Sequence, residues 1–249
     1  MTSIFDSAAF NDTLFYPRPD ADEPPAGAVD RFCTLDDATI HVRCHAAADA
    51  RCTILLFHGN GEVVSDYDGA AGRFAALGAA LAVADFRGYG LSTGEPSLRR
   101  LIDDARPIAE AVPGAPLIVM GRSLGGAAAH QLFAHPVDRM AGVVLESAFS
   151  DLAGLIRRRG LVPPAAYSAD ERAVFDPLPK LARGRLPLLV LHGARDTLVD
   201  PAEAMAARAA ASSAAFAELV LVPERGHNDV SASPAYWDAL GAFLDRVVG

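Results

Sequence analysis

The sequence predicts an α/β protein built on a doubly wound, mostly parallel sheet. Three observations carry this. Six short apolar runs end at polar or glycine-bearing corners, and the segments between them repeat apolar residues at helical spacing. A chain of 249 residues, 51% of them apolar, can also bury one large core, so one domain over residues 1–249 is expected.

In chain order, the stretch from Tyr16 to Asp30 is rich in Pro, Asp and Gly, and residues 1–30 read as an N-terminal surface arm. The six runs follow: Thr53 to Phe57, Leu81 to Ala84, Leu117 to Met120, Val143 to Leu145, Leu188 to Leu191 and Leu219 to Val222. Runs this short and this apolar suit strands covered on both faces. After the first, Ser65 is the expected cap of a helix carrying Tyr67, Ala70, Ala71, Phe74 and Leu77 on one face, with Gly78 ending it. After the third, an Ala-rich helical segment runs through His135 and stops before Pro136. Residues 147–186, between the fourth and fifth runs, suffice for one or two short helices. Asp200, Pro201 and Glu203 read as a capping box before the Ala-rich segment from Ala204. Ser233 and Pro234 open a last helix lined by Tyr236, Trp237, Leu240, Phe243, Leu244 and Val247. In such a sheet ligands bind at the carboxyl ends of the strands, so the corners are where chemistry is to be sought.

The formal charge of −9 offers no cationic footprint, so neither nucleic acid nor anionic lipid is an expected partner. Arg157 to Arg159 is too short a run to change this; a solvated helix face accounts for it better than a phosphate or carboxylate site. Cys33, Cys44 and Cys52 have neither disulfide-framework nor zinc spacing and are expected to be reduced, buried thiols. No signal peptide or membrane span is read, and the chain is expected to be cytoplasmic and, by default, a monomer.

The third run leads directly into Gly121-Arg122-Ser123-Leu124-Gly125, G-x-S-x-G between a strand and a helix. A nucleophile on so sharp a turn needs small neighbours, because larger side chains would strike the adjoining strand and helix. The bland alternative is a glycine-rich turn with an incidental serine. A serine hydroxyl is a poor nucleophile without a histidine base and a carboxylate that fixes its tautomer. His227, just past the sixth run, is in order for the base, and Asp196, in the loop after the fifth, for the acid. Glu146 is the competing acid; Asp229 is read as contacting solvent beside the base, and Asp200 as structural. Backbone N–H groups of Asn60 and Leu124 would meet the charge that develops in acyl transfer, and His58 is read as a support for that loop. No His, Cys or carboxylate pair has metal-ligand spacing, so no metal is expected.

Taken together, HGNGE, DFRGYGLSTGEPS (Asp85 to Ser97), GRSLGG, HGARDTLVD and ERGHND resemble the α/β-hydrolase superfamily, in particular its serine aminopeptidase-like and depalmitoylase-like branch, over residues 53 to about 247. The resemblance implies the α/β-hydrolase fold with a short helical lid over residues 147–186. It places Ser123, Asp196 and His227 as nucleophile, acid and base, with Asn60 and Leu124 as oxyanion hole. Asp85 and Arg87 are expected to brace the glycine-rich loop as an ion pair. The implied activity is hydrolysis of a small-molecule acyl ester, with no cofactor. Thioesterase and aminopeptidase activities share the chemistry; the latter would need a carboxylate such as Glu62 or Glu146 to hold a free amine. Acyl transfer, and a receptor that binds without turnover, are the readings from other classes.

Overall fold

A computed structural model of the protein describes residues 3–20, 22–114 and 116–249. The six apolar runs form β3 (Cys52–Phe57), β4 (Ala79–Ala84), β5 (Leu117–Arg122), β6 (Met140–Glu146), β7 (Leu188–Gly193) and β8 (Ala217–Val222). Two strands precede them, β1 (Ala28–Thr34) and β2 (Thr39–His45). The eight form one sheet in the order β1-β2-β4-β3-β5-β6-β7-β8, antiparallel at β1/β2 and β2/β4 and parallel elsewhere. Every residue of β3, β5 and β7 is buried, as expected where helices cover both faces.

Alternation along β3 divides the core. Leu55 and Phe57 join one apolar cluster with Val119, Leu132 and Phe133, and Ile54 and Leu56 join a second with Met120 and Leu240. The last helix, Pro234–Val248, covers the second face through Tyr236, Leu240, Phe243 and Leu244. The helix after β3 differs from expectation. The segment Val64–Ala70 is a 3-10 turn feeding the α-helix Ala71–Ala76, and Ser65 does not cap it; Asp66 instead accepts the N–H of Val63 at 3.0 Å. Gly78, at φ +74°, does end it.

β1 and β2 escape the apolar pattern because buried charges alternate along β2 with its two core residues, Ile40 and Val42. Arg43, on β2, is fully buried; it donates to Asp30 (2.8 Å), Asp68 (2.9 Å) and the carbonyl of Asp22 (2.6 Å).

Of the arm expected over residues 1–30, residues 1, 2 and 21 lie outside the described residues. The rest is not simply surface. Ala8–Leu14 is an α-helix, and Phe5, Phe10, Leu14 and Phe15 are buried, Phe5 lying 4.4 Å from the Phe175 ring. Four large apolar side chains in so short a segment favour burial over solvation. Residues 147–186 contain three helices, Leu152–Arg158, Ala169–Phe175 and Pro177–Arg183, one more than expected. Cys52 is buried, Cys33 and Cys44 are half-buried, and all three are free. Among the described residues no helix is long and apolar enough to cross a membrane.

Candidate active site

β5 ends at Arg122, a 3-10 turn takes Ser123–Gly125, and the helix Gly126–Ala134 departs from it. Ser123 has φ +50°, a left-handed conformation that costs a side chain on the order of 1 kcal/mol or more and is sustained by its surroundings. The glycines around it have steric reasons. A Cβ on Gly121 would lie 2.6 Å from Ala129 Cβ and 2.7 Å from Gly125 O; one on Gly125 would lie 2.6 Å from His58 O and closer still to Phe57 O. The elbow is thus wedged against the end of β3.

Three side chains from separate corners meet there. His227 Nε2 is 2.9 Å from Ser123 Oγ, and His227 Nδ1 is 2.7 Å from Asp196 Oδ2. Asp196 Oδ1 accepts the N–H groups of Leu198 and Val199, each at 2.9 Å, and His192 Nε2 lies 3.2 Å from Oδ2. Burial pushes the Asp196 carboxyl upward, but the bonds from His192, His227 and Val199 outweigh it and hold the group well below the usual carboxylate range. The loops carrying Asp196 and His227 touch directly, with Arg195 N–H donating to Arg225 O at 2.8 Å. Ser123 and His227 are half-buried, with the His227 side chain 9% exposed.

A family model described as serine aminopeptidase, S33, matches residues 48–169. Protein bem46 of Schizosaccharomyces pombe is 29% identical over 209 residues, covering 79% of this chain and 68% of that protein. Alpha/beta hydrolase domain-containing protein 17C of Homo sapiens is 29% identical over 217 residues, covering 82% of this chain and 61% of that protein. The chain spans 47% of the related protein aho-3 of Caenorhabditis elegans. Among solved structures, the Pyrococcus furiosus esterase Pf2001 has a TM-score of 0.73 at 19% identity, covering 95% of this chain and all of that one. A hydrolase from Pseudomonas aeruginosa PA01 has a TM-score of 0.69 at 23% identity, covering 88% and 99%. The chain has the α/β-hydrolase fold, and the family model and these relatives support its being a member of that superfamily.

Within this α/β-hydrolase fold the competing carboxylates are occupied elsewhere. Glu146 receives Arg122 Nε at 3.2 Å and the Tyr236 hydroxyl at 2.6 Å. Asp229 holds its own turn, accepting the Gly226 N–H at 2.7 Å. Asp200 caps the helix Pro201–Ala210 through the Ala202 N–H (2.8 Å), but the expected capping box is incomplete. Glu203 turns away to accept the N–H groups of Ser150 and Asp151, each at 2.8 Å, and to pair with Arg158 at 2.7 Å. Two buried backbone donors and a guanidinium are better partners than one N–H at a helix end.

His58 is fully buried, bonded to Gly59 O (2.7 Å) and 3.4 Å from Asp85, which suits a support for the loop. The side chain of Asn60 is anchored, its Oδ1 accepting Tyr16 N–H (3.0 Å) and the Tyr89 hydroxyl (2.7 Å). Leu124 follows Ser123 in the elbow that packs on the same strand end. Asp85 and Arg87 do not pair with each other. Asp85 takes His41 at 2.8 Å and the Val64 N–H at 3.1 Å, whereas Arg87 grips Asp104 bidentately at 2.7 and 2.9 Å and reaches Asp37 at 2.8 Å. Both residues lie in the loop past the end of β4, and each is taken up by partners of its own. Arg157 to Arg159 bond individually to Asp151, Glu203 and the Tyr16 hydroxyl. Among the described residues no group of three or more His, Cys, Asp or Glu is arranged to hold a metal.

Proposed function

We propose that the protein is a serine hydrolase that cleaves acyl esters of small molecules through an acyl-enzyme intermediate. The observation that carries this is the continuous pair of contacts from Ser123 Oγ through His227 to Asp196, at 2.9 and 2.7 Å. His227 Nε2 takes the Ser123 proton as Oγ attacks the acyl carbonyl, and the ionised Asp196 keeps the Nδ1–H tautomer and stabilises the imidazolium. Backbone N–H groups of Asn60 and Leu124 receive the oxyanion. Collapse expels the alcohol, which takes its proton from His227. A water activated by His227 then attacks the acyl-serine, and a second collapse releases the acid. None of these steps calls for a cofactor.

Ester hydrolysis is favoured over aminopeptidase activity by the fate of the two acids that could hold a free amine. Glu62 and Glu146 are both paired to Arg122, and Glu62 also accepts the Gly59 N–H and the Tyr67 hydroxyl. A thioester would pass through the same intermediate. The likeness to the esterase Pf2001 agrees with an ester substrate.

The test is covalent labelling by a fluorophosphonate, with hydrolysis of p-nitrophenyl acetate through octanoate. Wild type is expected to label and turn over, Ser123→Ala and His227→Ala to do neither, and Asp196→Asn to lose roughly 10⁴-fold in kcat through the wrong tautomer. A folded wild type that neither labels nor releases nitrophenol would refute the proposal in favour of a receptor. A matched thioester cleaved far faster than its ester would make the enzyme a thioesterase.

A further inference from the structure

Resting on the reading of Ser123 and His227 above, we infer that Arg122 is a positioning residue that clamps the Gly59–Glu62 loop and the His227 loop around the nucleophile. Arg122 ends β5, immediately before Ser123, and its side chain is only 11% exposed. Each part of its guanidinium reaches a different corner of the sheet. Nη1 pairs with Glu62 after β3, Nε lies 3.2 Å from Glu146 Oε1 at the end of β6, and Nη2 donates to Asn228 Oδ1 at 2.9 Å and His227 O at 3.5 Å after β8. A planar fork with five donors reaches three separated partners from nitrogens held in fixed geometry; an ammonium offers its three donors from a single nitrogen.

The clamp continues into the backbone that matters. Glu62 Oε2 accepts the N–H of Gly59 at 2.7 Å, one residue before Asn60, and the Tyr67 hydroxyl at 2.6 Å. Glu146 Oε2 accepts the Tyr236 hydroxyl at 2.6 Å, which ties in the last helix. Gly59 is glycine for the same reason, since a Cβ there would run into Arg122 Nη1 and lie 2.9 Å from Glu62 Oε2. Burial disfavours the charge of Arg122, and the flanking carboxylates more than offset this, so the guanidinium stays protonated. Without it, two carboxylates would face each other behind the nucleophile, and the loop bearing Asn60 would lose its tie to the base loop.

Arg122→Lys, Arg122→Met and Asn228→Ala separate positioning from simple stabilisation when kcat is expressed per site titrated by fluorophosphonate. A residue acting only on stability lowers the melting temperature and the titratable fraction and leaves kcat per site unchanged. For a clamp, Arg122→Lys is expected to lower kcat per site by about 10- to 100-fold with KM within about twofold, as for a sub-ångström misplacement of reacting groups. Asn228→Ala, which cuts only the tie to the base loop, is expected to cost severalfold in the same parameter. Wild-type kcat per site in both Arg122→Lys and Asn228→Ala, or a loss confined to KM, would overturn the inference, and these two variants decide it should Arg122→Met not fold. An inactive wild type would instead remove the hydrolase reading on which it rests.

Discussion

Replacing Gly125 with alanine tests whether packing behind the elbow, rather than backbone freedom alone, demands glycine. The added carbon would lie 2.6 Å from His58 O, about 0.7 Å inside the ~3.3 Å at which a carbon rests on a carbonyl oxygen, and the clash with Phe57 O is worse. Neither oxygen can step aside, because both belong to the backbone at the end of β3. The elbow must therefore retreat from the loop that holds Asn60. Overpacking of this kind costs about 1–3 kcal/mol, or roughly 2–12 °C in Tm for a chain of this size. A displacement near 1 Å at a reacting centre costs on the order of 10²-fold, so kcat is expected to fall by about 10- to 100-fold. Gly72→Ala is the control, since it lies in the helix Ala71–Ala76 with nothing within 4 Å of a Cβ, and should add about 0.5–1 kcal/mol. Thermal unfolding and ester hydrolysis measured on both variants decide the matter. A Gly125→Ala protein with wild-type Tm and kcat would refute the reasoning.

His130 is buried with neither ring nitrogen bonded to another described residue, and burial, with a smaller contribution from Lys180, pushes its pKa down to about 3. The unfolded chain takes up that proton near pH 6.5, so stability present above this pH is lost as pH falls toward 3; His130→Leu should therefore lose about 2–3 kcal/mol less than wild type between pH 7 and 4.5, and parallel Tm-against-pH curves would count against it. Glu203→Gln removes charge-assisted bonds to the N–H groups of Ser150 and Asp151 and the pair with Arg158, and is expected to cost about 1–3 kcal/mol, visible by calorimetry as a lower Tm.

What was legible in the sequence follows from what is local. The buried strands β3 to β7 announce themselves because both faces of each are apolar, and the elbow because its glycines must lie within two residues of Ser123. β1 and β2 leave no such trace, since His41, Arg43 and His45 look like surface residues until Asp30, Asp68 and Asp85 are brought to them from elsewhere. The same holds for Arg122. It is one unconstrained letter inside G-x-S-x-G, and its partners Glu62, Glu146 and Asn228 come from three other strand ends. Glu203 fitted a local rule and was drawn off by a distant guanidinium, and the aromatic residues of the arm found the lid helix instead of solvent.

The tie between Tyr236 and Glu146 sets an order in time. A chain emerging from the ribosome makes β3, β5 and β6 first, and so presents Ser123 on its elbow long before His227 exists. Until the last helix docks, Glu146 lacks its hydroxyl donor and Arg122 has no Asn228 to hold. A polypeptide made only as far as β6 thus carries Ser123 without His227, Asn228 or Tyr236 around it.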